Sequence, residues 1–238
     1  VQVSSDGIGL DVAVTVEVAL DPPTPVASRR SDLGVPEAHS DGSTATGLVE
    51  GARIGPGEWV LVEAAAGGVG SLLVQLAQAP GARVIGLARG ARKLDLIRSL
   101  GAEAAVDYSA PDWTEQVLQA TGGTGVDVVF DGVGGEIGRA AFEVTARHAR
   151  FSVHGAASGQ LTVIDPVEAQ RRAVEVIGIE QPYVFRQRMH QWADQIMAEA
   201  VAGRVRPVIG QTYPLEHAAD AHAAIESRSA LGKTLLLI

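Results

Sequence analysis

Cysteine is absent from the 238 residues, which removes disulfides, thiolate zinc sites and cysteine nucleophiles together and leaves the redox compartment open. Aromatic residues make up only 4% of the chain, so a core has to come from the aliphatic part of its 46% hydrophobic content. No apolar run reaches transmembrane length, and the start lacks the basic then apolar pattern of a secretory signal, so a cytoplasmic location and no membrane partner are expected. Positive charge is in the minority. With 19 Lys and Arg against 28 Asp and Glu, the net charge of −9 argues against nucleic acid or an anionic membrane as the main partner. Methionine occurs only at Met189 and Met197 while the first residue is Val1, so the chain is expected to be a fragment, a processed product or a sequence without its beginning.

Several catalytic signatures are missing as well. No Tyr-x-x-x-Lys pair starts at Tyr108, Tyr183 or Tyr213, which leaves a short-chain reductase mechanism without a candidate. Neither Gly-x-Ser-x-Gly nor Gly-x-x-x-x-Gly-Lys-[Ser/Thr] occurs, which argues against an α/β-hydrolase or a P-loop NTPase. The six histidines form no His-x-x-x-His pair, and no metal site is expected. His217 and His222 are off a common helical face and read as solvated or capping residues.

What is present is a strand, a glycine turn and a helix in immediate succession. Trp59-Val-Leu-Val62 is an apolar strand, Ala65-x-Gly67-Gly68-Val69-Gly70 follows, and Val69, Leu72, Leu73 and Leu76 recur at helical spacing until Pro80-Gly81. In a dinucleotide site a side chain at Gly67 would keep the backbone from the phosphates, and one at Gly70 would separate helix from strand. The helix start offers free N–H groups and a positive dipole end to an anion. A second strand, Arg83–Ala88, follows at the distance of a βαβ unit.

The base after that strand chooses the nucleotide. An NAD site places an acid there to accept the ribose 2′-hydroxyl. Here Arg89, Arg92 and Lys93 precede the first acid, Asp95, and bases of this kind pair a 2′-phosphate, so NADPH is the expected cofactor.

Strand-like segments near 59–63, 83–88, 104–107, 126–131, 150–155 and 173–179 alternate with helical ones near 69–79, 91–100, 112–121, 136–147 and 184–202. That pattern predicts a doubly wound parallel α/β sheet of the Rossmann type. A helix near 216–228 and a strand at 233–238 close the chain. Residues 1–41 show one alternating strand, Leu10–Val18, among Pro, Ser, Asp and Arg. His154 lies at the carboxyl end of the fifth strand, where open α/β sheets place ligands.

These features together resemble the zinc-independent quinone oxidoreductases of the medium-chain dehydrogenase/reductase superfamily. The likeness covers about residues 42–238 and is carried by Ala64-Ala-Ala-Gly67-Gly-Val-Gly70, by Val126-Asp-Val-Val-Phe-Asp-Gly-Val-Gly-Gly135, by Gly155-Ala-Ala-Ser-Gly159 and by Gly232-Lys-Thr-Leu-Leu236. The resemblance implies that Lys93 and Tyr108 hold the adenosine 2′-phosphate and that Thr44, in Gly42-Ser-Thr44-Ala, lies near the nicotinamide. It further implies cofactor contacts for Gly132, Val133, His154 and Gly155, a small-molecule quinone or α,β-unsaturated carbonyl as substrate, and a homodimer paired through the edge strand near Val174–Ile179. It divides the chain into a remnant of a GroES-like substrate domain at 1–41, an NADPH-binding domain at 42–210 and a returning segment at 211–238. Residues 1–41 cannot supply a whole substrate domain. The competing expectation is therefore a nucleotide-binding or interaction protein that has lost turnover.

Overall fold

The structure is a computed structural model that describes residues 17–19, 40–180 and 188–237. Its centre is a six-stranded parallel sheet in the order β4-β3-β2-β5-β6-β7. The strands are β2 (Trp59–Val62), β3 (Arg83–Ala88), β4 (Ala104–Asp107), β5 (Val126–Asp131), β6 (Thr145–Val153) and β7 (Glu175–Ile177). A second, three-stranded sheet in the order β1-β9-β8 joins β1 (Glu17–Ala19), β9 (Lys233–Leu237) and β8 (Ile209–Pro214).

The large sheet is buried on both faces, and β2 shows why its sequence is continuously apolar. Val60 and Val62 point into one core layer with Leu73, Val74 and Phe130, while Trp59 and Leu61 point into the other with Leu87, Phe142 and Phe151. Alternate residues of one strand thus need apolar neighbours on opposite sides. The helices covering these faces include α2 (Gly68–Gln78), α3 (Ala91–Ser99), α4 (Trp113–Ala120) and α5 (Gly135–Glu143). The doubly wound parallel sheet predicted from the alternation is the observed fold.

Three elements have no counterpart in the sequence reading. Helix α1 (Ser40–Ala52) is rich in Gly, Ser and Thr, poor helix formers, and is held by packing. It lies against α7 (Met189–Val201) so closely that a methyl on Gly47 would stand 2.6 Å from Trp192. Helix α6 (Pro166–Arg172) begins with Asp165, whose carboxylate accepts the Val167 N–H at 2.8 Å, and with Pro166 in the first turn. Strand β8 carries Gly210 and Pro214 and is mostly exposed, so it has no core pattern to read. The last helix, α8 (Ala218–Glu226), is where one was expected. Of the strand expected at 10–18, residues 10–16 lie outside the described residues.

Candidate cofactor crevice

The strand order reverses between β2 and β5, so their carboxyl ends open a crevice at the switch point of the sheet. On the β2 side stands the glycine turn. Ala64 takes the left-handed conformation, φ 47°, and its carbonyl accepts the Gly67 N–H at 2.8 Å, which closes the turn. Ala65 is fully buried and donates its N–H to Leu87 O at 3.0 Å, pinning the turn to β3. A methyl on Gly70 would stand 2.3 Å from Ala64 O and 2.8 Å from Ala65 Cα, so α2 meets the strand end backbone to backbone. A methyl on Gly67 would meet only Ala64 O, at 3.2 Å. Val69 lies in the first turn of α2, half-buried.

An anion already lies on this turn. Asp41, in the first turn of α1, packs its carboxylate on Gly68 so closely that a methyl there would stand 2.1 Å from Oδ2. Lys233 pairs with that carboxylate at 2.7 Å, and both side chains are under 20% exposed, at 16% and 18%. The fold delivers Lys233 to this place by joining the start of β9 to the turn, with Gly232 N–H donating to Ala66 O at 2.7 Å. Thr44 lies three residues after Asp41 on α1 and is half-buried. The N–H groups that open α2 and the Lys233 ammonium beside Gly68 are the features of this corner that suit the phosphates of a dinucleotide.

Beyond β3 and β4 lies a basic rim. Lys93 donates from Nζ to the Arg228 carbonyl at 2.6 Å, and its ammonium is held below the usual lysine range by burial and by the charges of Arg228 and Arg89. Arg89 places its guanidinium 5.6 Å from the ring centroid of Tyr108. Arg92 is exposed on α3, and the charges acting on Lys93 come from Arg228 and Arg89. Asp107, at the end of β4, accepts the Gly90 N–H at 2.9 Å. Burial opposes its ionisation, but hydrogen bonds from Ser109 and Gly90 and the charge of Arg89 outweigh it and hold Asp107 below its ordinary value.

Arg228 belongs to none of the sequence motifs. It follows α8 in a left-handed conformation, φ 56°, and its guanidinium donates to Ala157 O at 2.7 Å, so one residue spans the rim and the far wall. Only its place just upstream of the Gly232-Lys233 segment hinted at it.

The far wall is made by the turns after β5 and β6. His154 and Gly155 donate their N–H groups to Asp131 O at 2.9 and 3.2 Å, and Ser158 donates to Val133 O at 2.8 Å. A methyl on Gly155 would stand 2.7 Å from Gly132 O, and one on Gly132 would stand 3.0 Å from His154 Nε2, so both glycines have a packing reason. Burial holds His154 down at a pKa of about 4, which makes it a neutral imidazole at physiological pH. Val133 is buried and donates its N–H to Glu63 Oε2 at 3.1 Å. Among the described residues no three His, Asp or Glu side chains cluster as metal ligands, and no helix is long and apolar enough to cross a membrane.

A family model described as zinc-binding dehydrogenase matches residues 68–199. The 2-haloacrylate reductase of Burkholderia sp is 31% identical over 224 residues, covering 87% of this chain and 65% of that protein. Quinone oxidoreductase of Rattus norvegicus is 31% identical over 192 residues, 80% of this chain and 58% of that one. The crystal structure of Escherichia coli quinone oxidoreductase complexed with NADPH superposes with a TM-score of 0.76 at 28% identity, over 83% of this chain and 63% of that one. The chain spans less than two thirds of the length of these relatives. The family match over most of the sheet, together with these likenesses, places the chain in the zinc-binding dehydrogenase family, beside the quinone oxidoreductases of the medium-chain dehydrogenase/reductase superfamily.

Proposed function

We propose that this chain carries the cofactor half of an NADPH-dependent reductase that transfers a hydride to a quinone or an α,β-unsaturated carbonyl without zinc. The observation that carries the reading is the joint presence, at one switch point, of a glycine turn opening a helix beside Lys233 and of a basic rim whose acid, Asp107, is engaged by Gly90 and Ser109. The hydride would come from the bound dihydronicotinamide. The chain's own part is binding and orientation. Gly67, Gly68, Val69 and Gly70 present backbone and helix N-terminus to the pyrophosphate, with Ala65 fixing the turn. Lys93, Arg228, Arg89 and Tyr108 receive the 2′-phosphate, and Arg92 adds positive field from the solvent side. Gly132, Val133, His154 and Gly155 line the wall for the nicotinamide half, and Thr44 faces it from α1.

A neutral His154 offers a hydrogen bond but no charge, and solvent can protonate the reduced product, so no dedicated acid is required. Zinc independence is supported by donor chemistry: the sequence offers no cysteine ligand, and among the described residues no His, Asp and Glu side chains gather in its place. The family resemblance and the edge position of β7 support a homodimer paired through that strand, and the negative net charge supports a protein without nucleic-acid or anionic-membrane partners; a cytoplasmic location belongs to the same reading. Full-length protein mixed with NADPH and a panel of quinones and enones tests the reading. Oxidation of NADPH by at least one acceptor is expected. Tight NADPH binding with no turnover across the panel would instead favour a nucleotide-binding protein.

A further inference from the structure

Two carboxyl groups are sealed into the floor of the crevice, one at each side of the switch point. Glu63 directly follows β2 and is 1% exposed; Asp131 ends β5 and is fully buried. Each anchors the turn after β5 by one oxygen. Glu63 Oε2 accepts the Val133 N–H at 3.1 Å, and Asp131 Oδ1 accepts the Gly134 N–H at 2.7 Å. The remaining oxygens, Glu63 Oε1 and Asp131 Oδ2, have no donor among the described residues. The two anchored N–H groups belong to successive residues, Val133 and Gly134, so the two carboxyl groups meet over one short stretch of backbone.

Two adjacent buried carboxylates are an expensive arrangement, because both lose water and like charges meet in a low dielectric. One retained proton relieves the repulsion and supplies a donor between them. Burial first, then the charge of Asp131 and its hydrogen bond, push the Glu63 carboxyl well above the ordinary range, while the amides of Val133 and Gly134 oppose this more weakly. No cation among the described residues joins those influences. From the end of β6, His154 faces Asp131, held neutral by burial. On the other side of Asp131 the Thr162 hydroxyl, uncharged, faces it across Gly138.

We propose that Glu63 keeps its proton and shares it with Asp131, and that this shared proton fastens the Gly132–Gly135 turn to the end of β2. Glu63 is then a positioning residue for the wall that receives the nicotinamide half of the cofactor. Losing the proton sets two buried charges against each other across the switch point, loosens the Val133 and Gly134 anchors and lowers cofactor affinity. The consequence for cofactor binding rests on the NADPH reading above; the shared proton itself does not.

The test compares wild type with Glu63→Gln, which keeps one donor and one acceptor without a charge, and Glu63→Ala, which keeps neither. In the cofactor-free protein, infrared spectroscopy is expected to show the C=O stretch of a buried protonated carboxyl at neutral pH, lost in Glu63→Gln. NADPH titrated from neutral to alkaline pH is expected to bind wild type about tenfold more weakly per pH unit once Glu63 ionises. Glu63→Gln is expected to bind with an affinity free of that slope, and Glu63→Ala to bind about tenfold or more weakly throughout. Taking the ratio of wild type to Glu63→Gln cancels the titrations of the cofactor phosphate and Lys93. Absence of the infrared band overturns the proposal, as does an identical pH slope in wild type and Glu63→Gln or equal affinity in Glu63→Ala and Glu63→Gln. If Glu63→Gln does not fold, the wild-type band decides alone. Absence of NADPH binding at every pH would refute the cofactor reading and leave the infrared result to judge the shared proton.

Discussion

Replacing Gly70 and Gly67 by alanine, one at a time, separates packing from ligand contact within a single turn. At Gly70 the new methyl would stand 2.3 Å from Ala64 O, 2.8 Å from Ala65 Cα and 2.9 Å from Ala64 C. Carbon atoms in contact prefer about 3.5–4.0 Å, so α2 has to retreat from the strand end by roughly 1 Å. The turn has little room to absorb this. Ala65 is tied to Leu87, Gly67 to Ala64, and Ala64 is already left-handed. Overpacking of this kind costs about 1–3 kcal/mol. In a chain of this size each kcal/mol lowers the melting temperature by roughly 2–4 °C, so Gly70→Ala is expected to lose about 2–12 °C. At Gly67 the methyl meets a single backbone oxygen at 3.2 Å, and its φ of −85° suits alanine, so the melting temperature should move by less than about 2 °C. NADPH affinity should nevertheless fall at Gly67→Ala by about tenfold or more, because the methyl occupies the approach to the pyrophosphate. Thermal unfolding and NADPH fluorescence titration of both variants measure this. A destabilised Gly67→Ala with unchanged affinity, or a Gly70→Ala as stable as wild type, would refute the geometry of the turn.

Lys93→Met and Arg228→Ala should each weaken NADPH binding about tenfold to a hundredfold while leaving NADH nearly unchanged, since each removes a charge-assisted bond to the 2′-phosphate alone; competitive titration of the two nucleotides checks this. Asp41→Asn removes the carboxylate on Gly68 and frees Lys233, so NADPH binding measured at low salt should tighten about two- to fivefold, whereas Lys233→Met should weaken it. His154, with a folded pKa of about 4 against 6.5 in the unfolded chain, binds fewer protons when folded in that interval. Stability from this group is therefore complete above the unfolded pKa and declines as pH falls toward about 4, a loss on the order of 3 kcal/mol. Denaturant titrations should show a steeper acid-side loss in wild type than in His154→Asn, the difference between the two reporting this group.

The fold was legible because the strands of a doubly covered parallel sheet are nearly all apolar. Trp59–Val62 and Val126–Asp131 announce themselves, and the glycine turn between β2 and α2 fixes the direction of the chain. Helix α1 was not legible, since Ser40–Ala52 owes its helicity to Trp192 and Ile196 on α7, which lie far away in sequence. Asp165-Pro166 did carry a start signal for α6, but that helix is 7 residues long and too brief to show a period. At the candidate site, Arg89 and Lys93 could be read as a basic segment because they are neighbours. Arg228 could not, since it reaches Lys93 from 135 positions away through the return of α8 and β9. Asp41, Lys233 and the Glu63–Asp131 pair share that difficulty: each partner is an ordinary surface or strand residue until the sheet brings them together.

The proposed function stands or falls with NADPH binding in this crevice. Its most direct test is equilibrium titration of the full-length protein with NADPH and NADH side by side at low ionic strength. Saturable binding of NADPH is expected, at least about tenfold tighter than that of NADH, with the difference shrinking as salt screens the rim formed by Lys93, Arg228 and Arg89. Equal affinity for the two, preference for NADH, or no binding of either would contradict it.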